Sequence, residues 1–360
     1  MDIPVNLGTR SYTIVVGDGA LATVGDRLRA LGVGARGALV SDPTILRLHG
    51  KVVTAALEAA GLTCVVLEVP EGEAAKTLAV AERLWDRFLE AGLDRTSTVL
   101  ALGGGAVGDV AGFAASTFMR GMNFVQLPTT VLGQVDASIG GKTAIDHPHA
   151  KNLIGAFHQP RLVVADLATL QTLPERDFRA GLAEVVKHGA VLDADYFAEV
   201  ERDVAPLLAR DARTLERIIG GSCRLKASVV ERDEREAELR HVLNYGHTLG
   251  HAIEAATGYA RLNHGEAVSL GIVAESRLAV RLGISDAATS QRQERLLAKV
   301  GLPTSTTGVD TDRVLAAIAH DKKARDGRVP FVLAPRIGTF RVVYDVPAAE
   351  VRAALAELAA

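Results

Sequence analysis

The sequence predicts an α/β protein in which a Rossmann-like, doubly wound parallel sheet domain is followed by a mainly α-helical domain. Three observations carry that prediction. Short β-branched runs alternate with helical stretches through the first half, as they do when helices cover both faces of a parallel sheet. Several of those runs are apolar without alternation, the pattern of strands buried on both faces. Beyond about residue 170, long Ala/Leu/Glu/Arg-rich segments take over.

In chain order the strand candidates are Tyr12–Gly17, Gly37–Ser41, Cys64–Val69, Ser97–Leu102, Phe124–Leu127 and Leu162–Ala165. Between them, Thr44–Ala60 reads as a helix entered through Asp42-Pro43, and Thr77–Ala91 as one that stops at Gly92. Proline suits a first helical turn and glycine the residue after a last one. The later helical segments are 175–189, 195–232, 239–257, 265–282, 286–300 and 310–322, and a β-like stretch at Pro330–Val343 precedes a short closing helix. The change of character near Leu173-Pro174 divides the chain into domains of residues 1–170 and 171–360.

The 360 residues carry a net charge of −3 and are 48% hydrophobic and 23% charged. These are ordinary globular values, against disorder and against a nucleic-acid or membrane-surface partner held by long-range attraction. An anion site must then be built locally, from clustered Lys and Arg. Cys64 and Cys223 stand far apart in no metal-ligand spacing, which points to a reducing, cytoplasmic setting rather than a disulfide framework. No signal-peptide pattern opens the chain, and no run approaches the ~18 apolar residues of a membrane span.

Three segments carry chemistry. In TSTVLALGGGAVGDVAGFAA (96–115) a strand runs into Gly103-Gly104-Gly105 and then a helix. Gly103, Gly105 and Gly108 satisfy GxGxxG, whose glycines let backbone N–H groups approach a pyrophosphate at a helix N-terminus. The motif lies in the fourth βα unit rather than the first, so a tight turn without a ligand is the competing reading. Asp109 is either a partner of the helix dipole or a hydroxyl acceptor.

In RHVLNYGHTLGHAIEAATG (240–258), Arg240, Asn244, His247 and His251 fall within about 60° of one another on a helical wheel, with Glu254 beyond. Two histidines four apart can reach a common metal, and His264 could supply a further imidazole. An ordinary solvated face is the alternative, although the Lys/Glu mixture of such a face is missing. Two imidazoles on the metal with one left for proton transfer, or three as ligands, both remain open. Glu184 and Lys187, at i and i+3, share one side of their helix. A carboxylate with two or three imidazoles suits Zn²⁺ with an open position, against a plain surface ion pair.

Residues 128–160, PTTVLGQVDASIGGKTAIDHPHAKNLIGAFHQP, read as polar, Gly-rich and irregular. Long stretches of that kind inside a compact domain are usually functional. Lys142 after Gly140-Gly141, and Lys151 beside Asn152, offer point charges for phosphate or carboxylate. A mobile loop with solvated lysines is the alternative.

Together these segments resemble the 3-dehydroquinate synthase family. The matching stretches are VPEGEAAK (69–76), GGGAVGDVAGFAA (103–115), FMRG (118–121), the 128–160 loop, AEVVKHG (183–189), LNYGHTLGHAIEA (243–255), NHGEAV (263–268) and HDKK (320–323). The resemblance implies an NAD-binding first domain and a second domain that holds one divalent metal, Zn²⁺ or alternatively Co²⁺, on Glu184, His247 and His264. It gives His251 a part in proton transfer. It assigns Arg120, Asp136, Lys142, Lys151, Asn152, Lys187, Lys226, Arg240, Asn244 and Lys322 to the substrate pocket. Asp42, Glu73, Lys76, Gly104, Gly105, Asp109, Thr129, Thr130 and Thr172 match the cofactor side, with Lys142 and Lys151 serving it as well.

The implied reaction converts 3-deoxy-D-arabino-heptulosonate 7-phosphate to 3-dehydroquinate and phosphate, in the shikimate pathway. It runs through transient oxidation at C5, β-elimination, reduction and aldol closure, so the enzyme is a lyase. The family also implies a homodimer with a small-molecule substrate, beside the cytoplasmic setting and the lack of a nucleic-acid or membrane partner that composition and charge favour. Two positions depart from the family's usual pattern. Asp146 stands where Asn is common, and Ala150 replaces a frequent Gly, which would strain a backbone that needs φ > 0. The alternatives are a cyclase for a sugar phosphate without a carboxylate, and a metal-dependent polyol dehydrogenase of the same general fold; neither needs so many cations.

Overall fold

The computed structural model describes residues 1–148, 150–258, 261–319 and 329–359. The chain divides into two compact units, Met1–Pro174 with Leu215–Glu234, and Glu175–Thr214 with the described residues from Arg235 onward.

The strands of the first unit are β1 (Asp2–Val5), β2 (Tyr12–Gly17), β3 (Arg36–Ser41), β4 (Thr63–Glu68), β5 (Thr98–Gly103), β6 (Asn123–Pro128), β7 (Lys142–His147), β8 (Ala150–Phe157) and β9 (Leu162–Asp166). Seven form one sheet in the order β1-β2-β9-β6-β5-β3-β4, parallel throughout except where β1 pairs antiparallel with β2. Its helices are α1 (Val24–Ala30), α2 (Pro43–Ile45), α3 (Lys51–Ala59), α4 (Leu78–Glu90) and α5 (Gly105–Thr117). The doubly wound expectation holds for a reason visible in β3. Ala38 and Val40 join the apolar core that contains Val80, Leu84, Val110 and Ala111 of α4 and α5. Leu39 joins the core of Leu28, Val53 and Leu57 from α1 and α3. Successive side chains enter opposite cores, so the strand reads as apolar without a break.

Two features depart from expectation. The sequence reading did not include β1, a four-residue edge strand with Pro4 inside it, a place where the missing N–H costs least. The 128–160 stretch is not irregular: Gly133–Ala137 makes a π-helical turn, and β7 and β8 pair as an antiparallel hairpin with Ile145 opposite Ile154. Most of β8 is exposed, so it lacks the apolar alternation by which a strand is read.

The second unit is helical. Its elements are α6 (Glu175–Leu192), α7 (Ala194–Arg202), α8 (Val204–Leu208), α9 (Ala212–Arg232), α10 (His247–Ala256), α11 (His264–Arg281), α12 (Ala287–Lys299), α13 (Thr311–Ala319) and α14 (Ala348–Ala356). An antiparallel pair, β10 (Phe331–Leu333) with β11 (Arg341–Val343), occupies the β-like stretch. From Leu215 onward α9 belongs to the first unit. The predicted segment 195–232 is three helices, with Asp211 Oδ2 accepting from the Thr214 amide at 2.9 Å where the last begins. Residues 320–322 of the last predicted segment lie outside the described residues.

The predicted helix 239–257 is also broken. Leu239–Asn244 is a 3₁₀ turn, and Gly246, at φ +77°, separates it from α10. Arg240 and Asn244 therefore do not share a helical face with His247 and His251. A side chain at Gly246 would also meet Ile272 Cγ1 at 2.5 Å, and one at Gly271 would lie 1.9 Å from the Gly246 carbonyl oxygen. Helices α10 and α11 thus touch backbone to backbone. Among the described residues no helix is long and apolar enough to cross a membrane.

Gly271→Ala is expected to lower stability by about 1–3 kcal/mol, the usual cost of overpacking, read from the urea midpoint. An unchanged midpoint would show that the helix pair can separate without cost.

Candidate active site

In the second unit, one turn of α6 delivers Glu184 and Lys187, both buried, as an ion pair. The Glu184 side chain has no exposed surface, and neither of its oxygens accepts a hydrogen bond of normal geometry. His247 Nε2 lies 3.4 Å and His264 Nε2 3.5 Å from Glu184 Oε1. Ligand atoms of these three residues all lie within 4.8 Å of one another.

The protonation of His247 follows from its other nitrogen. Nδ1 is 3.1 Å from the Tyr245 carbonyl oxygen, which can only accept, so Nδ1 carries the proton and Nε2 turns a lone pair toward the carboxylate. Burial and the Lys187 charge push His247 down to about 4, against the attraction of Glu184. Its imidazole is then neutral at neutral pH. Two buried electron-pair donors that face each other with no proton between them fit a cation. Burial opposes the charge on Glu184, yet the Lys187 ammonium holds the carboxyl well below its usual range. Burial likewise opposes a charged His264, but the neighbouring Glu184 and Glu254 carboxylates raise it to about 9; a metal there would have to displace that proton.

His251 stands close by, its ring centroid 5.2 Å from that of His247 and 5.8 Å from that of His264. A second donor set, His251, Glu254 and His264, overlaps the first. The first set has the fully buried carboxylate and the neutral imidazole, and it is the better fit to a metal. Arg240 is buried, and Asn244 Nδ2 donates to Glu236 Oε1 at 3.3 Å; both precede the break at Gly246.

In the first unit, β5 ends at Gly103, and Gly104 is the N-cap of α5, where no side chain caps the first amides. A Cβ on Gly105 would lie 3.1 Å from that of Ala137, and one on Gly104 3.4 Å from Thr130 Cγ2. The Thr129 amide donates to the Gly103 carbonyl at 3.0 Å. Lys76, 3% exposed, donates to Asp109 Oδ2 at 2.8 Å and to Asn152 Oδ1, with Glu73 Oε2 at 3.9 Å. Burial opposes the Lys76 charge, but Asp109 and Glu73 hold it above its usual range. Asp109 is pushed up to about 6 by burial, against the pull of Lys76.

The β7–β8 hairpin docks on this group. The Asp146 amide donates to the Lys76 carbonyl at 2.8 Å, and Asp146 Oδ1 accepts from the Asn152 amide at 2.7 Å. Asn152, not Ala150, takes the positive φ, at 56°. Asparagine tolerates that region, so the expected strain at Ala150 does not arise. Lys226 donates to both Oδ1 and the carbonyl oxygen of Asp136, at 2.7 and 2.6 Å.

The remaining predicted residues are more dispersed. Lys142 is exposed at the start of β7, and Lys151 is half-buried on β8. Arg120 is exposed at φ +64°, on a turn where Arg95 Nε donates to the Met119 carbonyl at 2.9 Å. Asp42 Oδ1 accepts from the Ile45 amide at 2.9 Å, as a helix cap. Thr172 Oγ1 donates to the Thr169 carbonyl at 2.9 Å and lies 2.9 Å from His49 Nε2. Lys322 lies outside the described residues. The structure thus gathers Glu184, Lys187 and three histidines in one unit, and Glu73, Lys76, Asp109 and Asn152 in the other. The anchoring by Asp146 and by the Tyr245 carbonyl was not legible in the sequence, since each depends on backbone groups that residue type does not reveal. Glu254 as a second carboxylate was legible from its i+3 spacing to His251.

A solved structure of 2-epi-5-epi-valiolone synthase from Streptomyces hygroscopicus subsp. jinggangensis 5008, with NAD⁺ and Zn²⁺ bound, matches with a TM-score of 0.88 at 30% identity, over 96% of each chain. That of 2-deoxy-scyllo-inosose synthase complexed with carbaglucose-6-phosphate, NAD⁺ and Co²⁺ gives 0.89 at 26% identity, over 99% of this chain and 100% of that one. The fold is that of the sugar phosphate cyclases. Within that class, residues 66–180 match the profile described as 3-dehydroquinate synthase N-terminal, and residues 181–324 the one described as 3-dehydroquinate synthase C-terminal. A 3-dehydroquinate synthase from Pelotomaculum thermopropionicum is 51% identical over 337 residues, 93% of this chain and 91% of that one. The chain belongs to the 3-dehydroquinate synthase family.

Glu184→Gln keeps the shape of the donor set and removes its charge. It is expected to weaken Zn²⁺ binding by more than the ~10–100-fold typical of losing an outer-shell partner, measured by chelator competition. Unweakened binding would move the metal to the His251, Glu254 and His264 set.

Proposed function

We propose that the chain converts 3-deoxy-D-arabino-heptulosonate 7-phosphate to 3-dehydroquinate and phosphate, as a lyase of the shikimate pathway. The observation that carries this reading is the buried Glu184 carboxylate beside two imidazoles and the Lys187 ammonium, in a chain of this family. Glu184, His247 and His264 would hold one divalent metal, Zn²⁺ or Co²⁺. The Gly104-Gly105 turn, with Asp42, Glu73, Lys76, Asp109, Thr129, Thr130 and Thr172, would hold NAD. When bound, NAD takes up and returns the C5 hydride, and the metal draws electron density from the C5 oxygen.

The chain's own side chains do the rest. Arg120, Lys142, Lys151, Lys187, Lys226, Arg240 and Lys322 supply the positive charge that a substrate with both a phosphate and a carboxylate requires. Asn152 and Asn244 offer neutral donors that fix orientation. Asp136 fixes the Lys226 ammonium through two hydrogen bonds. His251, beside the donor set but outside its better half, carries a proton to or from the substrate. In this reading residues 1–170 form the cofactor domain and residues 171–360 the metal and substrate domain. We also infer a cytoplasmic homodimer, in keeping with two unpaired cysteines.

With the heptulosonate phosphate as substrate, phosphate release without net NADH accumulation is expected, abolished by a chelator. Stoichiometric NADH build-up would favour a dehydrogenase, and turnover of sedoheptulose 7-phosphate alone a different cyclase. Lys142→Ala is expected to lower kcat/KM by ~10²-fold or more, as for loss of a charge-stabilising donor, with metal content intact. Metal loss in that variant would mean that Lys142 supports the donor set rather than the substrate.

A further inference from the structure

The peptide unit that joins Tyr245 to Gly246 is held at both ends. Its carbonyl accepts from His247 Nδ1 at 3.1 Å. Its N–H donates to Glu275 Oε2 at 2.6 Å, and the other carboxylate oxygen, Oε1, accepts from the Leu249 amide at 3.2 Å. Glu275 is fully buried on α11, the helix that His264 opens. Helix α10 has no side-chain cap of its own, because its N-cap is Gly246. Glu275 supplies from the neighbouring helix the anionic acceptor that this N-terminus lacks. Tyr245 is fixed in turn by its hydroxyl, which donates to Gln293 Oε1 of α12 at 2.7 Å.

We propose that Glu275 is a positioning residue that acts on the His247 imidazole through this one peptide, in the order carboxylate, N–H, carbonyl, Nδ1–H. Hydrogen bonds in series polarise one another. A charged acceptor on the N–H therefore strengthens the carbonyl as an acceptor for Nδ1. A firm acceptor at Nδ1 fixes the tautomer and the ring, and makes Nε2 a better ligand. Metal-site histidines often meet such a carboxylate directly; here a backbone amide is interposed. Gly246 permits it, since its positive φ turns the peptide toward both partners, and a Cβ there would meet Ile272 at 2.5 Å. The same carboxylate ties the helix that carries His247 to the helix that carries His264.

The inference rests on the reading of Glu184, His247 and His264 as the metal donor set, and its test separates the two. Glu275→Gln keeps an acceptor oxygen and removes the charge. In the folded variant, Zn²⁺ affinity by chelator competition is expected to fall ~10–100-fold, as for other outer-shell partners, and the visible bands of the Co²⁺-loaded protein to shift. A folded Glu275→Gln protein with unchanged affinity and an unchanged Co²⁺ spectrum overturns the relay. His247→Ala and His264→Ala are measured beside it. If they lose metal while Glu275→Gln does not, the relay alone is wrong; if they retain it, the donor set is wrong and the relay falls with it. Should Glu275→Gln not fold, the wild-type chain decides. Nitrogen NMR of the zinc-loaded, histidine-labelled protein is expected to show His247 protonated at Nδ1 and metal-bound at Nε2, and a metal-bound Nδ1 overturns the proposal.

Discussion

A carboxylate with no exposed surface is expensive unless its charge is answered, and without a metal Glu184 is answered only by the Lys187 ammonium and the His264 imidazole. Lys187 pairs with it one helical turn away, and two imidazole nitrogens face the same oxygen. Each element of the second unit near this point serves that arrangement. Helix α6 brings the carboxylate and the ammonium together, α10 brings His247 and His251, and α11 begins at His264. The backbone contact between α10 and α11 at Gly246 and Gly271 holds the two imidazole-bearing helices close. A buried charge of this kind is weak evidence for stability but strong evidence for a ligand that needs it.

The first unit solves a different problem, that of presenting amides and one cation at the end of a sheet. Strand β5 runs into α5 across three glycines, at the carboxyl ends of parallel strands where doubly wound folds bind ligands. Lys76 is buried against Asp109 and Asn152, and the hairpin that carries Asn152 is pinned to the Lys76 backbone through Asp146. One lysine thus organises residues that the family resemblance divides between cofactor and substrate.

The inner parallel strands were legible because burial on both faces leaves little that is polar to interrupt them; Tyr12–Gly17 appears with both boundaries as expected. The hairpin of β7 and β8 was not legible, since an exposed strand between polar turns carries no periodicity. The helix through residues 239–257 was misread for another reason. Gly246 is a permissive residue anywhere in a chain, and residue type does not reveal that it takes a positive φ there, where Val268, Gly271 and Ile272 approach too closely for any side chain. The histidines survived that error because their spacing lies wholly inside α10, whereas Arg240 and Asn244 did not. Glu275 left no sign at all: a glutamate in the middle of a helix reads as solvated until the fold shows that it is buried.

The claim on which the rest stands is that Glu184, His247 and His264 are the metal donors. An anomalous difference map at the zinc edge from crystals of the zinc-loaded protein tests it directly. A single peak is expected, bounded by the Glu184 carboxylate and the Nε2 atoms of His247 and His264. A peak bounded instead by His251, Glu254 and His264, with Glu184 left to Lys187, would contradict it.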